Sequence, residues 1–155
     1  MVAGTPELRR QTWDALLRAQ ARVLPRVHRA LYVATGLSLS EYTVLAEIAC
    51  GADGMATMSH LQDRACMSAA GITRVVGSLE QQGLVSRIRD REDRRLVHAA
   101  VTAAGRRRHR GATATLDAEL SAVLDGHLSN TELASMARVL ESLGNSAVSQ
   151  PRKSG

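Results

Sequence analysis

Residues 68–108 read SAAGITRVVGSLEQQGLVSRIRDREDRRLVHAAVTAAGRRR, and this stretch decides the fold. It opens with Ser68, a residue type that favours the N-cap of a helix, and the helix that follows is predicted to end at Gly83. The apolar residues of this helix share one stripe: Ile72, Val75, Val76 and Leu79. We therefore expect one face of the helix to lie in the core and the opposite face to lie outside it.

The outward face of that helix carries little charge. On a helical wheel it holds Ala70, Arg74, Gly77 and Gln81. A face of small or uncharged residues around one arginine suits close approach to the groove of a nucleic acid. An ordinary surface helix that tolerates alanine and glycine would give the same pattern, so this face alone leaves both interpretations open.

A β-hairpin with a charged tip is predicted directly after this helix. Apolar residues mark its two strands: Leu84, Val85 and Ile88 in the first, and Val97, Ala99 and Val101 in the second. The connection, DREDRR at 90–95, is almost wholly charged. Since burying unpaired charges is costly, this tip is expected to lie in solvent.

Helices are predicted on both sides of the quoted stretch. A long helix over 7–34 ends at Gly36, and Ser38 with Glu41 forms a capping box for a helix over about 39–50. A short strand at 55–57 and a short helix marked by Met58, Leu61 and Ala65 come next. After the hairpin, Thr102 begins a helix to about residue 125, and Ser129 with Glu132 caps the last helix.

This order predicts a mainly α protein with a small β-hairpin wing. Residues 38–102 match a winged helix-turn-helix, in which two helices surround a tight turn and a hairpin follows the second helix. The helices over 7–34 and 103–144 carry longer apolar stripes than so small a core can cover, which predicts a homodimer interface. We expect residues 1–155 to form a single domain, with a flexible polar tail over 145–155.

Basic residues are concentrated in one window of the chain. Residues 87–110 carry nine arginines against three acidic residues, a net charge of +6, whereas the whole chain has a net charge of +5. Arginines neutralise phosphates and release condensed counterions, so this window favours binding to a polyanion. A solvated face in an arginine-rich protein is the alternative.

Several classes of function find no support in the sequence. No nucleophile with a neighbouring base, phosphate-binding glycine loop or carboxylate pair predicts an enzyme, and no cofactor is expected. The histidines lack the tight spacing of metal ligands. No apolar run approaches the roughly 20 residues of a membrane helix, and no signal peptide is evident, so we expect a cytoplasmic protein.

The two cysteines, Cys50 and Cys66, are too few for a disulfide scaffold. We expect both to be small buried residues. A redox-active thiol at Cys66, in the turn before the helix that begins at Ser68, is the alternative.

The quoted stretch resembles the MarR (multiple antibiotic resistance regulator) family of winged helix-turn-helix transcription regulators. The residues that carry the resemblance are Ser68, Thr73, Arg74, Leu79, Glu80, Gly83, Leu84, Val85, Arg87, Asp90, Asp93, Arg94, Arg95, Thr102 and Gly105. The resemblance implies a dimer joined by its first and last helices. It also implies a ligand-responsive repressor that binds a pseudo-palindromic operator in double-stranded DNA. A winged-helix module that binds other proteins and not DNA is the competing interpretation.

The resemblance also implies which residues contact DNA. In such proteins the second helix of the helix-turn-helix enters the major groove, and an arginine at the wing tip enters the minor groove. Carried onto this chain, these contacts fall to Ser68, Ala70, Thr73, Arg74, Arg94 and Arg95, with Asp93 orienting Arg95 through an ion pair. The chemistry is consistent, because arginine offers a bidentate fork to guanine and narrow minor grooves attract it.

Many members of this family bind a small aromatic acid between the dimerisation helices and the DNA-binding lobe. His28, Arg29 and Tyr32 lie where such a pocket would be lined, which predicts a small anionic or phenolic effector. An ordinary helix face of mixed polar residues is the alternative. The family's peroxide sensors use a cysteine near the start of the first helix, and this chain has none there.

Overall fold

The computed structural model describes residues 4–90 and 96–148, with side chains up to residue 145. Its elements are, in chain order, helix α1 (Pro6–Thr35), helix α2 (Leu39–Cys50), strand β1 (Met55–Thr57), helix α3 (Met58–Ala65), helix α4 (Ala69–Gln81), strand β2 (Val85–Arg89), strand β3 (Val97–Val101), helix α5 (Ala103–Leu124) and helix α6 (Asn130–Val148). The mainly α fold class with a β-hairpin is confirmed. None of the helices in these ranges is long and apolar enough to span a bilayer.

Local capping interactions set the helix ends where the sequence predicts them. Gly36 ends α1 with a φ of 73°, in the left-handed region that favours glycine. The capping box of α2 is complete: the Glu41 amide donates to Ser38 Oγ at 3.2 Å, and the Ser38 amide donates to the Glu41 carboxylate at 2.8 Å. At the start of α4, the Gly71 amide donates to Ser68 Oγ at 3.1 Å.

The strands form one antiparallel sheet in the order β1, β3, β2. Strand β3 lies in the middle and pairs with β1 on one side and β2 on the other. The Asp90 amide donates to the Leu96 carbonyl at 3.0 Å and closes the described part of the hairpin. Residues 91–95, which form most of the predicted charged tip, lie outside the described residues.

The core lies where α2, α3 and α4 meet the sheet. Its fully buried large side chains are Leu31, Leu37, Val44, Leu45, Ile48, Leu61, Ile72, Val76 and Leu79. Helix α1 contributes only two buried residues, Val27 and Leu31, and both lie in its second half. The predicted apolar stripe of α4 is buried along its whole length, so the opposite face of α4 lies at the surface.

The described chain divides into two compact units, the first ending at Glu119 and the second beginning at Leu120. The first unit contains α1 to β3 and most of α5, and the second contains the end of α5 together with α6. Helix α6 continues to Val148. The prediction of a flexible tail over 145–155 therefore places the start of the tail too early. Residues 149–155 lie outside the described residues.

Both cysteines are exposed, and the prediction that they are buried is wrong. Cys50 is the last residue of α2, and Cys66 is the C-cap of α3. Cys66 has a φ of 52°, a left-handed conformation that turns the chain from α3 toward α4. Apolar character alone therefore does not place a residue in the core when it lies at the end of a helix.

The start of α5 lies directly against the chain that leads into β2. Thr102 caps α5 as predicted, because the Gly105 amide donates to Thr102 Oγ1 at 3.0 Å. The same hydroxyl donates to the Gly83 carbonyl at 2.8 Å. A Cβ atom on Gly105 would lie 2.0 Å from the carbonyl oxygen of Leu84 and 2.8 Å from Val101 Cγ2. Only glycine fits this approach of helix to backbone.

We expect Gly105→Ala to lower the free energy of unfolding by about 1–3 kcal/mol, because rigid backbone has to move to accept the added methyl group. Gly111→Ala is the matched control on the same helix, since no described atom lies within 4 Å of a Cβ atom at that position. The control should be neutral or stabilise by up to about 1 kcal/mol. Urea unfolding followed by circular dichroism measures both variants. Unchanged stability of the Gly105→Ala variant would contradict the close approach.

Candidate nucleic-acid interface

Helix α4 carries four of the residues predicted to contact DNA. Ala70, Thr73 and Arg74 are exposed on its N-terminal half, and Ser68 is exposed at its N-cap. Residues three and four apart are neighbours on a helix surface, so Ala70, Thr73 and Arg74 form one continuous surface. The structure therefore brings these predicted contacts together.

The N-terminus of α4 has the chemistry of a phosphate contact. Ser68 Oγ accepts a hydrogen bond from the Gly71 amide, which leaves the hydroxyl hydrogen of Ser68 to act as a donor. The helix macrodipole and the first backbone amides favour a negative charge at this end. Arg74 adds a guanidinium group about one and a half turns further along the same helix.

Gly77 is half-buried, in contrast to the prediction that it faces outward with Ala70 and Arg74. Arg87 of β2 lies beside it, with Nη2 3.7 Å from the position of a Cβ atom on Gly77. Nη2 of Arg87 donates to the Thr73 carbonyl at 3.2 Å, and Nη1 lies 3.4 Å from the Glu80 carboxylate. Arg87 thus covers Gly77 and joins α4 to β2.

The hairpin carries a second polar side-chain contact, close to its tip. Asp90 Oδ2 lies 3.1 Å from His98 Nε2, across the two strands. This contact joins the two sides of the hairpin, whereas Arg87 joins the hairpin to α4. The predicted wing contacts Arg94 and Arg95, and Asp93 that would orient Arg95, lie outside the described residues.

Glu41 joins α4 to α2 through a single carboxylate. Its Oε1 atom accepts hydrogen bonds from Ser78 Oγ at 2.7 Å and from Gln82 Nε2 at 2.8 Å. Its Oε2 atom accepts from the amide and the hydroxyl of Ser38, both at 2.8 Å. Burial raises the pKa of Glu41, but the hydrogen bonds from Ser78, Ser38 and Gln82 outweigh it and lower the pKa below its ordinary value of 4.5.

Sequence reasoning missed the roles of Arg87 and Glu41 in supporting α4. In the sequence, Arg87 was recognised only as one residue of the MarR-like pattern, and Glu41 only as one half of a capping box. Arg87 reaches an acceptor 14 residues away, and Glu41 reaches a donor 37 residues away. No local spacing reveals contacts over such separations.

A cavity of about 560 Å³ lies beside the second half of α1. Its lining residues are Leu24, Pro25, His28, Arg29, Tyr32, Val33 and Leu39. The three residues predicted for an effector pocket therefore share one cavity. The rings of His28 and Tyr32 are stacked, with centroids 6.4 Å apart, and His28 Nδ1 accepts a hydrogen bond from the Leu39 amide at 3.4 Å.

The described residues contain no group of three or more histidine, cysteine, aspartate or glutamate side chains arranged to hold a metal ion. The cavity beside α1 instead combines a guanidinium, a phenol and an imidazole with apolar walls. Such a lining suits an organic anion with an aromatic ring.

Comparison with known proteins identifies similar chains. A sequence profile of the MarR family matches residues 35–96. A search of curated proteins finds no match. Among solved structures, CouR from Rhodococcus jostii, bound to p-coumaroyl-CoA, is 30% identical with a TM-score of 0.79, and the match covers 90% of this chain and 96% of CouR.

Two further solved structures carry the family name. A MarR family transcriptional regulator from a Rhodococcus species is 29% identical with a TM-score of 0.78, over 90% of this chain and 96% of that one. A MarR family regulator from Streptomyces coelicolor, solved in complex with DNA, has a TM-score of 0.84 over 100% of this chain and 96% of that one. At 19% identity, this last similarity concerns the fold.

The lowered pKa of Glu41 predicts a loss of stability in acid. A carboxyl group whose pKa is lower in the folded state stabilises that state above its unfolded pKa, and the contribution is lost as the pH falls through the folded pKa. We expect the free energy of unfolding to fall as the pH drops below 4.5, the ordinary pKa of this group. The Glu41→Gln variant should be less stable than the parent protein at pH 7 by about 1–3 kcal/mol. Its free energy of unfolding should also decrease less between pH 7 and pH 3, because the variant lacks the carboxylate that titrates.

Glu47→Gln is the matched control, because Glu47 lies on the same helix but pairs with His60 and Arg64 of α3. Urea unfolding at several pH values between 3 and 7 measures the parent protein and both variants. If the Glu41→Gln variant and the parent protein show the same pH profile, the carboxylate does not support α4 as described.

Proposed function

The chain belongs to the MarR family of transcriptional regulators, and we propose that it is a homodimeric repressor that binds a pseudo-palindromic DNA operator and releases it when a ligand binds. One observation carries this proposal: the exposed N-terminal half of α4 lies beside a hairpin that Arg87 joins to it. A regulator of transcription acts where the DNA lies, so we place the protein in the cytoplasm. The alternative is a winged-helix module that binds proteins in place of DNA, and the experiments below distinguish the two functions.

In this proposal α4 enters the major groove. Ala70 is small and lets the helix approach the base edges closely, and Arg74 offers two parallel donors to the O6 and N7 atoms of guanine. Ser68 and Thr73 supply hydroxyl donors for phosphates or base edges. Because α4 buries its opposite face, these four side chains are held toward the DNA.

Arg94 and Arg95 are proposed as the minor-groove contacts of the wing. In the sequence they lie between Asp90 and Leu96, whose backbone hydrogen bond closes the hairpin. A narrow minor groove concentrates negative potential and favours an inserted arginine. Asp93 would hold Arg95 in an extended conformation through an ion pair.

The proposed dimer is built from α1 and α6. Both helices expose large apolar side chains: Trp13 at 59% and Val33 at 80% in α1, and Val139 at 58% and Leu143 at 57% in α6. Monomeric proteins rarely leave such faces in water. A second copy of the chain would cover them, and its two-fold symmetry would present one α4 helix to each half of a palindromic site.

The proposed effector site is the cavity lined by His28, Arg29 and Tyr32. Arg29 supplies a positive charge, and the stacked rings of His28 and Tyr32 offer an aromatic surface. The cavity volume of about 560 Å³ is typical of sites for small molecules. CouR binds p-coumaroyl-CoA, which contains a phenol and anionic phosphates. We propose that this chain binds a smaller anionic or phenolic molecule.

Selection of bound duplexes from a random pool should return a shared inverted repeat. On that operator, Arg74→Ala should weaken binding by about 1–3 kcal/mol and relax the preference at one position of each half-site. Arg95→Ala should weaken binding to many sequences and reduce the salt slope by about one unit per subunit.

Arg107→Ala removes one exposed positive charge from α5 and is the charge-matched control, which should leave base preference unchanged. Fluorescence anisotropy on operator and scrambled duplexes at several salt concentrations measures all three variants. If neither Arg74→Ala nor Arg95→Ala changes operator affinity, the interaction-module alternative is favoured.

Sedimentation at micromolar concentration should show a dimer. Leu143→Glu should shift the protein toward monomer and lower its stability, because it places a charge on the apolar face of α6. Glu141→Gln, at an exposed position of the same helix, should leave the dimer intact. A folded, stable monomer of the parent protein would exclude the proposed interface.

Arg29→Ala and Tyr32→Phe should weaken the release of operator DNA by 4-hydroxycinnamate, a phenolic carboxylate. Arg22→Ala is the matched control, because Arg22 lies on α1 and is not among the residues that line the cavity. Anisotropy of labelled operator titrated with the acid measures the release. If both cavity variants respond like the parent protein, the effector binds elsewhere.

A further inference from the structure

The first turn of α2 borders the cavity beside α1. Leu39 is the first residue of α2 and lines the cavity, and its amide donates to His28 Nδ1 at 3.4 Å. Glu41 lies two residues further along the same helical turn. A ligand that displaces His28 or presses on Leu39 therefore acts on the turn that carries Glu41.

The two carboxylate oxygens of Glu41 serve two different helices. Oε2 accepts both hydrogen bonds from Ser38 and fixes the carboxylate to the start of α2. Oε1 accepts from Ser78, in the last turns of α4, and from Gln82, the C-cap of α4. Gln82 Nε2 also lies 3.3 Å from Ser78 Oγ, so these two donors form one connected group.

We propose that Glu41 is the positioning residue through which occupancy of the cavity beside α1 alters helix α4. This inference rests on the proposed function, because a shift of α4 regulates transcription only if α4 contacts DNA. It extends that function by identifying the hydrogen bonds that connect the effector site to the DNA-contacting helix.

The connection is stiff because Glu41 has no spare acceptor site. A carboxylate offers about four lone-pair directions, and four donors occupy them here. Hydrogen bonds to a charged acceptor are also short and strong. A rotation of the first turn of α2 therefore has to move Ser78 and Gln82 or break their bonds.

Helix α4 carries the effect to the proposed DNA contacts. It is continuous over 13 residues, from Ala69 to Gln81. Arg74 lies about one turn before Ser78 on this helix. Because a helix behaves as a rigid element over such a distance, a displacement at Ser78 is also a displacement of Arg74.

Hydrogen exchange of the α4 amides tests this connection without DNA and without an identified ligand. In the 155-residue chain, His28→Ala removes the acceptor of the Leu39 amide and serves as the perturbation of the cavity. We expect peptides that cover α4 to exchange about threefold faster in His28→Ala and about tenfold faster in Glu41→Gln. The double variant should exchange no faster than Glu41→Gln alone, because the two sites act through one path.

Two further variants test whether the effect passes through the contact between Glu41 and α4. Ser78→Ala leaves the capping box of α2 intact and should reduce the effect of His28→Ala on α4, with Gln82 as the remaining donor from α4 to Glu41. Glu47→Gln makes the same chemical change on the same helix, but its carboxylate lies 3.5 Å from Arg64 and 3.7 Å from His60 of α3. In the Glu47→Gln background, the effect of His28→Ala should persist.

The proposal is overturned if His28→Ala leaves the exchange of α4 unchanged, or if the effects of His28→Ala and Glu41→Gln multiply independently. Anisotropy with selected duplexes, measured on the same proteins, separates this outcome from failure of the proposed function. A parent protein that binds no duplex contradicts DNA binding, whereas the exchange data still decide whether Glu41 connects the cavity to α4.

Discussion

Helix α4 can bury only one of its faces, and the proposed function depends on which face that is. Ile72, Val76 and Leu79 are completely removed from solvent. Each such side chain stabilises the fold by about 1.5–3 kcal/mol relative to an exposed one. Rotating the helix about its axis would expose these residues together, so the surface that holds Thr73 and Arg74 stays outward.

Burial of the apolar stripe sets the rotation of α4 about its axis, but polar contacts set the tilt of that axis. The hydrophobic effect is not directional, so the apolar stripe by itself permits small tilts of the helix. Arg87 holds the middle of α4 to the hairpin, and Glu41 holds its C-terminal end to α2. The helix and the hairpin that we propose to touch DNA are therefore fixed relative to each other by side chains that do not belong to the contact surface.

The elements of the fold follow from the sequence because their signals are local. Ser38 and Ser68 cap their helices through bonds to amides three residues away, and Gly36 ends α1 in a conformation that favours glycine. The apolar stripe of α4 has helical spacing, so its burial could be predicted before any tertiary contact was known. The surplus of apolar residues in α1 was also evident from spacing, and most of that stripe is exposed in the described chain.

Features that depend on contacts between residues distant in the sequence were decided only by the tertiary structure. The exposure of Cys66 follows from its place in the turn between α3 and α4, and the half-burial of Gly77 follows from Arg87 lying beside it. The second oxygen of Glu41 finds its donors only when α2 and α4 pack together. The sequence by itself determined the helices, the strands and the outward face of α4, because neighbouring residues supply those interactions. Only the folded chain determined how α4 is held, because its supports come from other elements.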